Sequence, residues 1–228
     1  MDQMDKNTVP ARDQLKDQGY IRFYNTAGSG KRILFVGNSI TLHGYRPEIG
    51  WYGRWGMAAS AEEKDYVHLT MKKVAAIDPN AAFCVCQVSD WERNFSRGEE
   101  VLEQYTHARA FEPDIIILRM VENCPKKDYE YPLFLDQLTH LVNYLDKTGN
   151  AKVIVTTGFW KHPADEALRS WADKHRAPLC ELGELGEQDE MKAIGLFEHK
   201  GVANHPGDKG MQAIADEIWA KLKPMLEE

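Results

Sequence analysis

The chain has 228 residues, 43% of them hydrophobic and 28% charged, which is an ordinary balance for a globular protein with a full core. Its net charge of -7 leaves no basic surplus to neutralise phosphates and argues against a nucleic-acid partner. No apolar run approaches the roughly 20 residues of a membrane span, so no transmembrane segment is expected.

Residues 1–20 read as a polar N-terminal extension, with Lys6, Arg12 and Lys16 spread among acids and no secretory leader. The compartment stays open between a cytoplasmic site and a periplasmic or secreted one reached after leader removal, and the oligomeric state is open too. Residues 21–228 read as a single α/β domain, with 21–28 able to add a short edge strand. Strands are expected at 32–36, 82–88, 114–119, 152–157 and 177–181. The third and fourth are β-branched and nearly continuous in apolar residues, as strands covered on both faces are. Helical periodicity fits 60–77, 98–110, 132–148, 164–175 and 208–223. Pro79, Pro113, Pro163, Pro178 and Pro206 fall between elements, where helices stop or start. Such alternation makes a parallel sheet with helices on both sides. Cys84 and Cys86 share one face of their strand and read as buried thiols, and no disulfide is expected among the four cysteines, which include Cys124 and Cys180. No cysteine or histidine spacing suits a metal, and nothing in the sequence asks for a cofactor.

Ligands in such sheets bind beyond the carboxyl ends of the strands. The first strand runs Ile33-Leu34-Phe35-Val36 into Gly37-Asn38-Ser39, so Ser39 is presented at the sheet edge, at the expected N-terminal end of a following helix. Taken alone, Ser39 also suits a simple helix cap. Ser89, Asp90 and Trp91 follow the second strand, Val121, Glu122 and Asn123 the third, and Asn204, His205 and Pro206 precede the last helix. Ser39, Asn123 and His205 can therefore meet on one rim.

Three blocks carry a resemblance. Gly37-Asn38-Ser39-Ile40-Thr41, Val121-Glu122-Asn123-Cys124 and His205-Pro206-Gly207-Asp208-Lys209-Gly210-Met211 resemble, in order, blocks of the SGNH (GDSL-type) hydrolase superfamily. The likeness spans about residues 30 to 224. It implies a three-layer α/β/α sandwich around a central five-stranded parallel sheet, flavodoxin-like in arrangement. It also implies Ser39 as nucleophile, His205 as general base and Asn123 as an oxyanion donor.

Two departures stand out. The oxyanion glycine of the second block is missing, which leaves the backbone N–H of Asp90 as its stand-in, or no donor at that position. The aspartate that usually stands three residues before the histidine is replaced by Val202. The group that orients His205 is then a carboxylate from among Glu48, Glu122, Glu198 and Asp208, or a backbone carbonyl. The one Asp-x-x-His of the chain, Asp65 to His68, falls in a helical stretch and reads as surface chemistry.

The segment His43 to Trp55 is rich in glycine, charge and aromatics. Trp51, Trp55 and Trp91, with Trp160 at a neighbouring strand end, suit stacking on sugar faces, and Glu48 and Arg54 suit hydroxyl contacts. Packing as a local core is the competing reading for each tryptophan. The expectation is a serine esterase removing a short acyl group, acetyl above all, from a carbohydrate or other small-molecule ester. A lipase, lysophospholipase or thioesterase on the same scaffold is the first alternative. A carbohydrate-binding protein with impaired catalysis is the second.

Overall fold

The computed structural model describes residues 19–126 and 130–227. The expected extension lies almost entirely outside those residues. In chain order the elements are β1 (Ile21–Tyr24), β2 (Arg32–Gly37), α1 (Tyr66–Ala75), β3 (Ala82–Gln87), α2 (Ser89–Asn94), α3 (Glu99–Leu102) and α4 (Thr106–Ala110). They continue as β4 (Ile115–Arg119), α5 (Tyr131–Leu145), β5 (Lys152–Thr156), α6 (Asp165–His175), β6 (Leu179–Cys180), α7 (Lys200–Ala203) and α8 (Asp208–Leu226).

The sheet order is β1-β3-β2-β4-β5-β6. Five strands are parallel as expected, and β1 adds a sixth, antiparallel to β3. The two faces divide cleanly. Leu34, Val36, Cys84, Cys86, Ile116 and Leu118 pack beneath the helices running from α2 to α6. Ile33, Phe35, Phe83, Val85, Ile115 and Ile117 pack beneath α1 and α8. Because both faces are covered, the inner strands need apolar residues at every position, which is why they read as runs rather than alternations. The four cysteines are free and buried, with Cys84 and Cys86 on the same face.

Three local expectations are corrected. No α-helix opens at Ser39. A single turn follows β2, in which the Asn38 carbonyl accepts from Thr41 N and Leu42 N, each at 2.9 Å, and the next α-helix begins at Tyr66. The stretch 98–110 is broken into α3, one 3-10 turn and α4. The Asp65–His68 pair is not surface chemistry. Asp65 is fully buried, caps α1 by accepting His68 N at 2.8 Å, and accepts Gly56 N at 2.9 Å.

No helix among the described residues is long and apolar enough to cross a membrane.

Candidate active site

Gly37 ends β2 where there is no room for a side chain: a Cβ there would lie 1.9 Å from Thr41 Oγ1 and 2.4 Å from the Arg119 carbonyl oxygen. This close approach lets the chain turn at once and leaves Ser39 partly exposed at the rim. Ser39 Oγ lies 2.8 Å from His205 Nε2, across 166 residues of sequence.

The other ring nitrogen of His205, Nδ1, lies 2.7 Å from the carbonyl oxygen of Gly201. The reason is local. The short helix α7 closes tightly, with His205 N–H bonding Val202 O at 2.9 Å, three residues back. That leaves the Gly201 carbonyl without its usual intrahelical donor, and the imidazole of His205 supplies one. Val202, at the position where a carboxylate was sought, is buried in a small cluster with Trp51, Met57, Ala58 and Ala193.

None of the four candidate carboxylates takes Nδ1. Glu48 pairs with Arg46, and Asp208 accepts from Ser60 and Lys64. Glu122 is engaged by Arg119, Asn38 and the Phe159 N–H. Glu198 is exposed, and the Gly201 carbonyl already holds Nδ1. Burial pushes the His205 pKa down to about 4, against a smaller upward pull from the Gly201 carbonyl.

Around the serine, the Ser39 N–H has no hydrogen-bond acceptor among the described residues. The same holds for Asp90 N–H in the first turn of α2. Its neighbours are occupied, Ser89 N by Gln87 Oε1 at 2.9 Å and Trp91 N by the Tyr105 hydroxyl at 3.2 Å. Asn123 is held at both ends of its amide: Oδ1 accepts from Arg93 at 2.9 Å and Nδ2 donates to Glu92 Oε2 at 2.5 Å.

Beneath these groups lies a buried polar network that sequence reasoning missed. Glu92 is fully buried and accepts from Asn38 Nδ2 at 2.9 Å and from Val121 N at 2.5 Å, besides Asn123. Arg119, also fully buried, donates to Asn38 Oδ1 at 2.8 Å and pairs with Glu122. Burial and the adjacent Glu122 raise the Glu92 carboxyl above its ordinary range. Burial also pushes Glu122 upward, but the Arg119 guanidinium and the N–H donors on it bring it below its ordinary range. An arginine closing an apolar strand was the one signal available in the sequence.

The tryptophan expectations need correction. Trp91 is 0% exposed and packs on Phe95 and Phe134 in the core. Trp51 is 2% exposed, wedged against Trp55 and Phe197. Neither has a face left for a sugar. Trp55 keeps some exposure and donates its indole N–H to Ala59 O at 2.9 Å. Glu48 and Arg54 are exposed. On this loop Tyr45 and Tyr52 reach solvent, 42% and 66% exposed, with ring centroids 5.8 Å apart. Trp160 meets His205 edge-on at 5.4 Å.

No family model matches the chain, and no curated protein does either. Solved structures do share its fold. A lipase/acylhydrolase from Enterococcus faecalis matches with a TM-score of 0.57 at 16% identity, over 86% of this chain and 96% of that one. An acetyl xylan esterase matches with a TM-score of 0.53 at 18% identity, over 83% and 98%. A two-domain esterase active on acetylated mannans matches with a TM-score of 0.54 at 17% identity, over 96% of this chain. The chain spans about half the length of that esterase, 54%.

Proposed function

We propose that this chain, which has the fold of SGNH-type hydrolases, is a serine esterase that removes a short acyl group, acetyl above all, from a carbohydrate. The observation that carries the reading is the 2.8 Å contact between Ser39 Oγ and a His205 ring whose far nitrogen is held at 2.7 Å by the Gly201 carbonyl. A carbonyl can only accept, so Nδ1 carries the proton and Nε2 offers its lone pair to the serine hydroxyl.

In this mechanism His205 takes the Ser39 proton as Oγ attacks the ester carbonyl. The oxyanion is met by Ser39 N–H, Asp90 N–H and the Asn123 amide. The alcohol leaves with the proton from His205, and water then hydrolyses the acyl-enzyme with the same base. The Gly201 carbonyl does part of what an aspartate does: it holds the tautomer and supports the imidazolium as a dipole rather than as a charge.

The carbohydrate assignment rests on the exposed Tyr45–Tyr52 pair, the charged Arg46, Glu48 and Arg54 on the same loop, and the acetylated-polysaccharide substrates named for two of the similar structures. A second reading, an acylhydrolase on longer chains, draws on the exposed Ile194 and Leu196 beside Phe197, the residue that packs on Trp51.

Hydrolysis of p-nitrophenyl acetate, butyrate and octanoate by the chain and by Ser39→Ala tests both. The proposal expects turnover that falls with chain length and drops by a factor on the order of 10⁴ in Ser39→Ala. Preference for octanoate would move the assignment to the acylhydrolase. Equal rates with and without Ser39, together with retained sugar binding, would mark a binding protein.

A further inference from the structure

Glu92 joins the ends of three neighbouring strands. It stands on α2, just past β3, and its two oxygens take donors from beyond β2 and beyond β4: Asn38 Nδ2 at 2.9 Å, Val121 N at 2.5 Å and Asn123 Nδ2 at 2.5 Å. All three partners donate, so the group at their centre must be an acceptor throughout. A carboxylate is; a glutamine is not.

Two consequences follow for Asn123. A side-chain amide is free to flip unless both ends are distinguished. Here the oxygen faces the Arg93 guanidinium and one N–H faces Glu92, so the flipped form would set donor against donor and acceptor against acceptor. The amide has a second N–H, which neither neighbour uses. The backbone that carries Asn123 is also held. Val121 has φ 123°, a region that disfavours any residue with a Cβ and a β-branched one most of all. Its N–H is the one that Glu92 accepts, and its carbonyl takes Cys124 N at 2.8 Å. A glycine would adopt that φ freely; a valine needs its surroundings to impose it.

We propose that Glu92 is a positioning residue for the oxyanion site, aligning the free N–H of Asn123 toward the developing oxyanion and holding the strained Val121 turn that carries it. The proposal rests on the esterase reading. It assigns Glu92 no contact with substrate, and places its whole effect on catalysis in Asn123.

The test is a double-mutant cycle on kcat and KM for p-nitrophenyl acetate, using the full chain, Glu92→Gln, Asn123→Ala and the double variant. Removing an oxyanion donor with Asn123→Ala is expected to lower kcat about 10²-fold. Glu92→Gln is expected to lower kcat at least about 10-fold with KM within about twofold, because the contact it aligns forms in the transition state. The double variant is expected to lie within about twofold of Asn123→Ala. Losses that multiply would show Glu92 acting independently of Asn123 and would overturn the proposal, as would a Glu92→Gln kcat equal to the parent's. Should Glu92→Gln not fold, Glu92→Asp, which keeps the charge but shortens the reach, enters the same cycle under the same criteria. An inert parent, or an Asn123→Ala as fast as the parent, would strike the esterase reading or the oxyanion role itself, and the proposal would fall with it.

Discussion

His205 works in surroundings that differ from those of a histidine backed by a carboxylate. Its Nδ1 faces a neutral carbonyl, and the residue three positions before it is Val202, locked among Trp51 and Met57. Burial therefore acts on the imidazolium with little to oppose it, and the pKa falls to about 4. The ring is then neutral, and on the esterase reading it serves as a base across the neutral range, though intrinsically a weak one. The kcat/KM profile for p-nitrophenyl acetate should stay level from pH 8 down to about pH 5 and decline with a midpoint about 4. An acid limb centred on the ordinary value of about 6.5 would mean that the ring is solvated or paired with a carboxylate. Ser39, Asn123 and His205 were each readable as candidates because serine, amide and imidazole recur in order at predicted strand and helix ends. The orienting carbonyl was not singled out, because every residue has one and only the tight closure of α7 exposes that of Gly201.

At the level of elements, the strands were legible and their ends were not. Ile115 to Leu118 and Val153 to Val155 advertise themselves by unbroken β-branched and aliphatic character. What ties those strands at their carboxyl ends is Arg119, whose guanidinium bonds Asn38 beyond β2 and pairs with Glu122, which in turn accepts the Phe159 N–H beyond β5 at 2.8 Å. Breaking a buried pair from one side leaves an uncompensated charge. Arg119→Met should cost about 3 kcal/mol or more in urea unfolding, and adding Glu122→Gln should recover part of it. A cost below about 1 kcal/mol would show that Glu122 finds water once the arginine is gone. The helical signal over 98–110 was real but misjudged in form. Its apolar residues Val101, Leu102, Tyr105 and Ala108 all reach the core, yet they do so from short pieces separated by a 3-10 turn.

Over the whole molecule, acid should undo the fold through histidines that the fold holds neutral. His43 and His205 are both pushed down to about 4, in each case by burial above all. The unfolded chain takes a proton at each site below about 6.5, and the folded chain only near 4. Their contribution is therefore complete above pH 6.5 and is lost as pH falls toward 4, by up to about 3 kcal/mol per site. His68 works the other way. Burial lowers it, but the Asp65 carboxylate beside it prevails and raises it. Its share is complete below about pH 6.5 and is lost as pH rises through its folded value. Urea unfolding at pH 7.0, 5.5 and 4.5 should show stability falling toward acid, and His43→Gln should make that fall shallower. An unchanged slope would mean that His43 protonates in the folded state without penalty.

What the sequence by itself determined was the alternation of strands and helices, the two-faced burial of the sheet, and the order of serine, asparagine and histidine along one rim. These are written in residues close to one another, as periodicity, turn chemistry and short blocks. The partner of His205 Nδ1, the burial of Trp51 and Trp91, and the convergence on Glu92 were decided only in three dimensions. Glu92 lies 54 residues from Asn38 and 31 from Asn123, and nothing near it in the chain marks it as special. Sheet register and loop packing bring three donors to one carboxylate, and the same packing turns aromatic residues with sugar-binding chemistry into core.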